Sequence, residues 1–216
     1  MSSLQTAARA LSSPSKFNSM TATAADATIL SASTTSIAKA GSYNIEVTQL
    51  AQAHKLAAAA ITDPTATVGT GTLTIDFGTY DSGGNTFSVN AAKTAKTIDI
   101  GATDGSLNGI RDAINKANAG ITASIINDGS GYRLTIGSND SGADNSLRIV
   151  VSNDGDGNNT DTLGLSKIAY NPTAVVGAGK NLTETLTAKS ATLKIDGIGI
   201  TKSTNSISDA IQGVTL

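Results

Sequence analysis

The chain has 216 residues and a net charge of -2, with 15% charged and 3% aromatic residues and neither cysteine nor tryptophan. That composition excludes disulfide frameworks, thiolate metal sites and cysteine nucleophiles, and it offers no basic surface to a nucleic-acid partner. The longest apolar run, residues 56–61, is far shorter than the roughly 20 residues a bilayer-crossing helix needs, and residues 1–6 lack the apolar core of a signal peptide. Neither nucleic acid nor membrane is expected as a partner.

In chain order, Leu4, Ala7, Ala8 and Leu11 share one helical face that Pro14 ends. So short a pattern is marginal alone and reads as the tail of a longer helix. From there the dominant period is two, the mark of strands with one buried face. Tyr43, Ile45 and Val47 form one such row, Leu73, Ile75 and Phe77 a second, and Ile98 and Ile100 a third. Leu107, Ile110, Ile114 and Ala117 instead follow a helical spacing, with Ser106 placed to cap the start and Gly120 to close the end. Arg111 and Asn115 fall on the opposite face and are expected to be neutral to substitution. Ile121, Ala123 and Ile125 lead into Asn127-Asp128-Gly129-Ser130-Gly131, and Tyr132, Leu134 and Ile136 lead out, which predicts a hairpin. Leu147, Ile149 and Val151 make a further strand, and Leu193, Ile195, Asp196-Gly197, Ile198 and Ile200 a second tight hairpin. Ile207, Ala210, Ile211 and Val214 repeat the helical spacing up to Gly213 and predict a second short helix. Val214 and Leu216 begin an alternation that stops with the chain, so both ends read as those of an excised middle piece.

The fold class that follows is mainly β (α+β): two β-rich domains, each an antiparallel sheet with one short helix, the second inserted into the first. Residues 105–136 make a complete unit with its own core, whereas the strand at Tyr43 finds a partner only near Leu193 to Ile200. The division expected is therefore 21–69 plus 182–216 for one domain and 70–181 for the inserted one. An echo of Leu73-Thr74-Ile75-Asp76 with Ile110-Arg111-Asp112-Ala113-Ile114 in Leu193-Lys194-Ile195-Asp196 with Ile207-Ser208-Asp209-Ala210-Ile211 suggests related modules.

No motif carries catalysis. Asp154, Asp156 and Asn158 fit the first positions of a calcium loop, but Asn159 stands where the turn glycine belongs and Leu165 where the bidentate glutamate belongs, so the stretch reads as a solvated turn. His54, the sole histidine, has no acidic neighbour in sequence and reads as a surface residue. Gly177-Ala178-Gly179-Lys180 lacks the spacing of a phosphate loop, and the sequons at Asn139, Asn158 and Asn181 are chance triplets. No catalytic, cofactor-binding or metal-binding residue is assigned, and no cofactor is expected.

Several stretches together resemble one family. They are Phe17-Asn18-Ser19-Met20-Thr21-Ala22, residues 40–53 around Tyr43-Asn44-Ile45-Glu46-Val47-Thr48-Gln49-Leu50, Ile110-Arg111-Asp112-Ala113-Ile114-Asn115 with residues 123–134, and residues 205–216. In that order they are similar to the hook-associated protein 2 family, the filament cap proteins of bacterial flagella. The resemblance implies a structural protein and not an enzyme, secreted through the flagellar export apparatus to the extracellular filament tip, where the cap retains exported flagellin and promotes its polymerisation. Its implied partners are further copies of itself in a homo-oligomeric ring, flagellin, and an export chaperone. Residues 1–20 become the end of a leg helix and a linker. An adhesin-type head binding host mucin or glycans is the alternative function.

Overall fold

In the computed structural model, which describes residues 20–216, the longest strand is β4 (Gly71–Asp81), and its alternation organises the larger part of the molecule. Leu73, Ile75 and Phe77 point into the core and are almost wholly buried, while the intervening residues face the other side of the sheet. One edge of β4 pairs with β9 (Ser146–Ser152). The other is shared by β6 (Lys96–Ile100), opposite Gly71 to Ile75, and β5 (Thr86–Val89), opposite Gly78 to Asp81. Beyond β9 lie β10 (Tyr170–Val176) and β11 (Ala178–Lys180), which completes a six-stranded sheet. The β10–β11 pair is parallel and irregular, the one departure here from antiparallel order.

A second sheet has the order β12 (Thr183–Leu186), β3 (Ala53–Ala57), β8 (Tyr132–Ser141), β7 (Ile121–Asn127). The expected hairpin joins β7 and β8, with Asn127 opposite Tyr132 and with Gly129 and Gly131 at positive φ. Helix α1 (Leu107–Lys116) starts where Ser106 Oγ accepts from the Gly109 N–H at 3.1 Å. It buries Leu107, Ile110 and Ile114 against β6 and β7. Each such side chain contributes about 1.5–3 kcal/mol by leaving water. The larger core combines these three with the inward rows of β4, β6, β7, β8 and β9, together with Leu165 and Ile168 from a 3-10 turn at Gly164–Ile168.

A smaller core forms around Leu193, Ile195 and Ile207. Here β13 (Ala191–Ile195) lies between β14 (Ile198–Lys202) and β2 (Ile45–Gln49), so the strand near Tyr43 is paired across the intervening chain, with Leu193 opposite Val47 and Ile195 opposite Ile45. The β13–β14 turn uses Asp196 (φ 50°) and Gly197 (φ 84°), the two positive-φ positions that a two-residue hairpin requires. Finally β1 (Ser33–Thr34) pairs with β15 (Val214–Thr215).

Three expectations are corrected. Residues 53–57 and 183–186 do not join the smaller core: β3 and β12 sit in the sheet with β8, and Leu56, Ala58 and Leu182 are buried in the larger core. The boundaries expected at 69/70 and 181/182 therefore cut through one continuous packing unit. The second short helix at 207–214 is not formed, and α1 is the single α-helix among the described residues. Instead Ile207 and Leu216 exchange both backbone hydrogen bonds at 2.9 Å, and Ile211 accepts from the Val214 N–H at 3.0 Å. These turns place Ile207, Ala210 and Ile211 on the small sheet as a helical face would have done, so the same spacing serves either backbone. With no second helix, the internal echo is not a structural repeat. The N-terminal helix expected at residues 4–11, and nearly all of the leg and linker segment 1–20, lie outside the described residues.

Candidate functional site

His54, expected at the surface, is 2% exposed. Strand β3 aims its ring at the junction of the two large sheets, where β10 reaches β9 only through Tyr170 opposite Ile149. Two residues along β9, on that same edge, the Leu147 N–H has no strand to pair with. His54 Nδ1 accepts it at 2.9 Å. That contact fixes the neutral tautomer, so Nε2 carries the proton and donates to Glu184 Oε1 of β12 at 3.1 Å. Burial holds the imidazole below its usual pKa, with the Glu184 carboxylate opposing. The Tyr170 ring lies 5.6 Å away, and its phenol is pushed up mainly by burial. The arrangement resembles two members of a catalytic triad, yet the imidazole nitrogen a nucleophile would use is held by a backbone N–H.

In the acidic loop, which is otherwise mostly exposed, one carboxylate is turned inward. Asp154, read from sequence as part of a solvated turn, is buried, and its carboxylate accepts from the Ser166 N–H and Oγ at 2.7 Å each and from the Leu165 N–H at 3.2 Å. It thereby caps the 3-10 turn, as a side-chain acceptor does at a helix start. Asp156 and Asp161 accept from N–H groups two residues on, those of Asn158 and Leu163. Asn181, from one of the chance sequons, donates to the carbonyl of Ser166 at 2.7 Å and to that of Asp161. Gly177 and Lys180 lie at the exposed β10–β11 turn beside Val175 and Val176.

A groove of about 600 Å³ runs between residues 20–45 and 211–216, lined by Ala22, Ile29, Tyr43, Ile45, Ile211 and Leu216 among others. Among the described residues its ionisable side chains are Asp26, Lys39 and Tyr43. The Asp26 carboxylate is occupied by the hydroxyl and N–H of Thr28, and the hydroxyl contact chiefly lowers its pKa.

Two asparagines fasten elements together. Asn115 of α1 grips Ala123 of β7 from both sides, donating to its carbonyl at 2.9 Å and accepting its N–H at 2.8 Å. Asn205 does the same to Ala51, at 3.0 and 2.7 Å. Asn115 is exposed, as expected of that face, yet these two contacts argue against its being neutral to substitution.

Comparison with known proteins places this architecture. Residues 1–54 match the family model described as the N-terminus of flagellar hook-associated protein 2. The chain is 36% identical over its whole length to the B-type flagellar hook-associated protein 2 of Pseudomonas aeruginosa, covering 43% of that protein. It is 40% identical over 97% of its length to the flagellar hook-associated protein 2 of Escherichia coli K12, covering 41% of it. The crystal structure of the flagellar cap protein D2-D3 domains from Serratia marcescens superposes with a TM-score of 0.68 at 34% identity, over 86% of this chain and 89% of that one. The chain belongs to the flagellar hook-associated protein 2 family. The D1-D2-D3 structure of the Escherichia coli cap protein matches still more of it, 98%, with a TM-score of 0.78 at 36% identity and 54% coverage of that chain.

The chain spans less than half the length of these curated hook-associated protein 2 relatives. Within it, four of the stretches that carried the resemblance are fastened to one another in pairs. Residues 40–53 and 205–216 meet through Asn205 and Ala51, and the two halves of the 110–134 stretch meet through Asn115 and Ala123. Sequence reasoning missed the His54–Glu184 pair because the partners are 130 positions apart, and only sheet pairing brings them together.

Proposed function

We propose that this chain is the β-rich head of a flagellar filament cap, a structural part that sits at the distal end of the filament, retains exported flagellin and promotes its polymerisation. The observation that carries the reading is the family membership, with cap-protein structures superposing over nearly the whole chain. The polar side chains described above fit a structural role: His54, Asp154 and Asn205 hold strands and loops together. The extracellular filament tip is the proposed location, reached through the flagellar export apparatus with a chaperone. No specific observation favours the glycan-binding alternative.

Within the cap, the head is proposed to consist of a smaller discontinuous unit, residues 20–52 with 187–216, and an inserted unit, residues 53–186, as the two cores suggest. Self-association of heads is proposed to be weak. The exposed apolar side chains include Leu163, Val175 and Val176 on one unit and Ile29, Leu50 and Ile198 on the other, and aromatic anchors of the kind that dominate tight interfaces are few. A closed ring needs unlike surfaces to meet head to tail.

The decisive test places this segment in its full-length protein and expresses it in a flagellated strain lacking its own cap. Restored filaments, with flagellin no longer lost to the medium, are expected. Continued loss of unpolymerised flagellin, despite export of the protein, would overturn the proposal.

A further inference from the structure

We propose that His54 is an acid-sensitive latch between the two large sheets, closed while its imidazole is neutral and released when the ring takes a second proton. The argument starts from the Leu147 N–H, which is buried and lies past the end of β10's pairing with β9. A buried N–H without an acceptor is costly, and His54 Nδ1 is its acceptor. The same ring reaches Glu184 through Nε2. One side chain of β3 thus ties β9, in the six-stranded sheet, to β12, at the edge of the four-stranded one.

A second proton has to enter at Nδ1, because Nε2 already holds one. The ring would then present an N–H to the Leu147 N–H, donor against donor, and the tie to β9 is lost. The Glu184 contact survives protonation and strengthens, so the release is directional: β12 keeps the ring while β9 loses it.

The groups around the ring do not remove this conflict. Glu184 of β12 favours the charged ring, and the Tyr170 phenol of β10 is neutral throughout the physiological range. The Lys180 ammonium of β11 lies 5.8 Å from the Tyr170 ring and opposes a further positive charge. On β9, Arg148 is paired with Asp76 of β4 at 2.7 Å, and near the end of β8 Asp140 is paired with Lys93. Burial outweighs Glu184 and lowers the ring's pKa in the folded protein. The linkage sign follows: the unfolded or opened form binds the extra proton more readily, so the closed form is fully stable above the ordinary histidine pKa and loses stability as pH falls below it.

Because His54 is the sole histidine, its ring signals in nitrogen-edited NMR are unambiguous. On the full 216-residue chain, the expected result is an Nε2–H tautomer at pH 7.5 with a titration midpoint below the ordinary value of about 6.5. Hydrogen exchange at the Leu147 amide, corrected for its intrinsic pH dependence, should report an opening equilibrium that rises by up to about fivefold between pH 6.5 and 5.5. That window lies above the ordinary carboxylate pKa values of about 4. The Val47 amide, in the smaller core, should show no such rise. His54→Gln offers an oxygen to the Leu147 N–H and cannot titrate, so its opening should be flat across the window. Glu184→Gln keeps an acceptor for Nε2 and should lower the ring's midpoint further. If His54→Gln fails to fold, the wild-type titration and the Glu184→Gln shift still decide. An Nδ1–H tautomer, a midpoint at or above 6.5, or unchanged Leu147 exchange between pH 7.5 and 5.5 would overturn the latch.

Discussion

Asn115 and Arg111 stand on the same solvent side of α1, and their energetic roles differ because their partners differ. Arg111 pairs with the adjacent, exposed Asp112 at 2.8 Å, and an ion pair of that kind is worth little once solvent screens it. Asn115 satisfies both backbone groups of Ala123, and Ala123 itself is buried at the helix–strand contact. Asn115→Ala is therefore expected to cost about 1–3 kcal/mol, the range for leaving buried polar groups unpaired. Arg111→Ala should fall within about 0.5 kcal/mol of wild type, and urea midpoints for the two variants check the contrast. Ile114, fully buried one position earlier, should lose about 2–5 kcal/mol on replacement by alanine. A loss below about 1 kcal/mol would mean that this face of the helix does not carry the core.

At the scale of elements, α1 contains a position where propensity and packing disagree. Gly109 lies within its first turn, and alanine in a helix interior is ordinarily better than glycine by about 1 kcal/mol. A Cβ at Gly109, however, would stand 2.5 Å from the Asp104 carbonyl oxygen and 2.6 Å from its Cα. The loop before the helix folds back so tightly that only glycine lets the backbones approach. Gly109→Ala is expected to destabilise the chain by about 1–3 kcal/mol, the range for overpacking, and thermal melting of the variant would show it as a fall in Tm. A rise in Tm would mean that this loop is free to move. The hairpin β13–β14 makes the complementary case. Its turn chemistry was legible because Asp196-Gly197 is a local signal, and its strands were legible because their apolar residues alternate.

For the whole molecule, the two cores differ greatly in size. The larger buries strands from two sheets and a helix, and the smaller rests on three buried apolar side chains with a ring of half-buried neighbours. Burial scales the free energy available to each, so β2, β13 and β14 should open before β4 and β9. Native-state hydrogen exchange is expected to give lower protection at Val47 and Leu193 than at Ile75 and Ile149. Equal protection across both groups would mean that the chain unfolds as one cooperative block. In sedimentation velocity from about 1 to 100 μM, a range that brackets weak association, the isolated chain should run as a monomer or a weak, concentration-dependent oligomer. A stable ring at the lowest concentration would place the strong self-contacts in these heads.

The sequence alone determined the β-rich class, the α1 face, both hairpins and the family, because alternation, helical spacing, turn residues and ordered motifs are local properties of the chain. It did not determine where residues 53–57 and 183–186 belong, since an alternating strand can pair with any sheet edge of suitable register, and the larger core claimed both. It predicted a helix at 207–214, because the spacing that serves a helical face also serves two tight turns closed by Ile207 and Leu216. His54 and Asp154 were read as solvated because their partners, Glu184 with Leu147 and Ser166 with Leu165, are distant or backbone groups. A side chain's burial and protonation depend on what the fold brings to it, and that was decided only when the two sheets closed on one another.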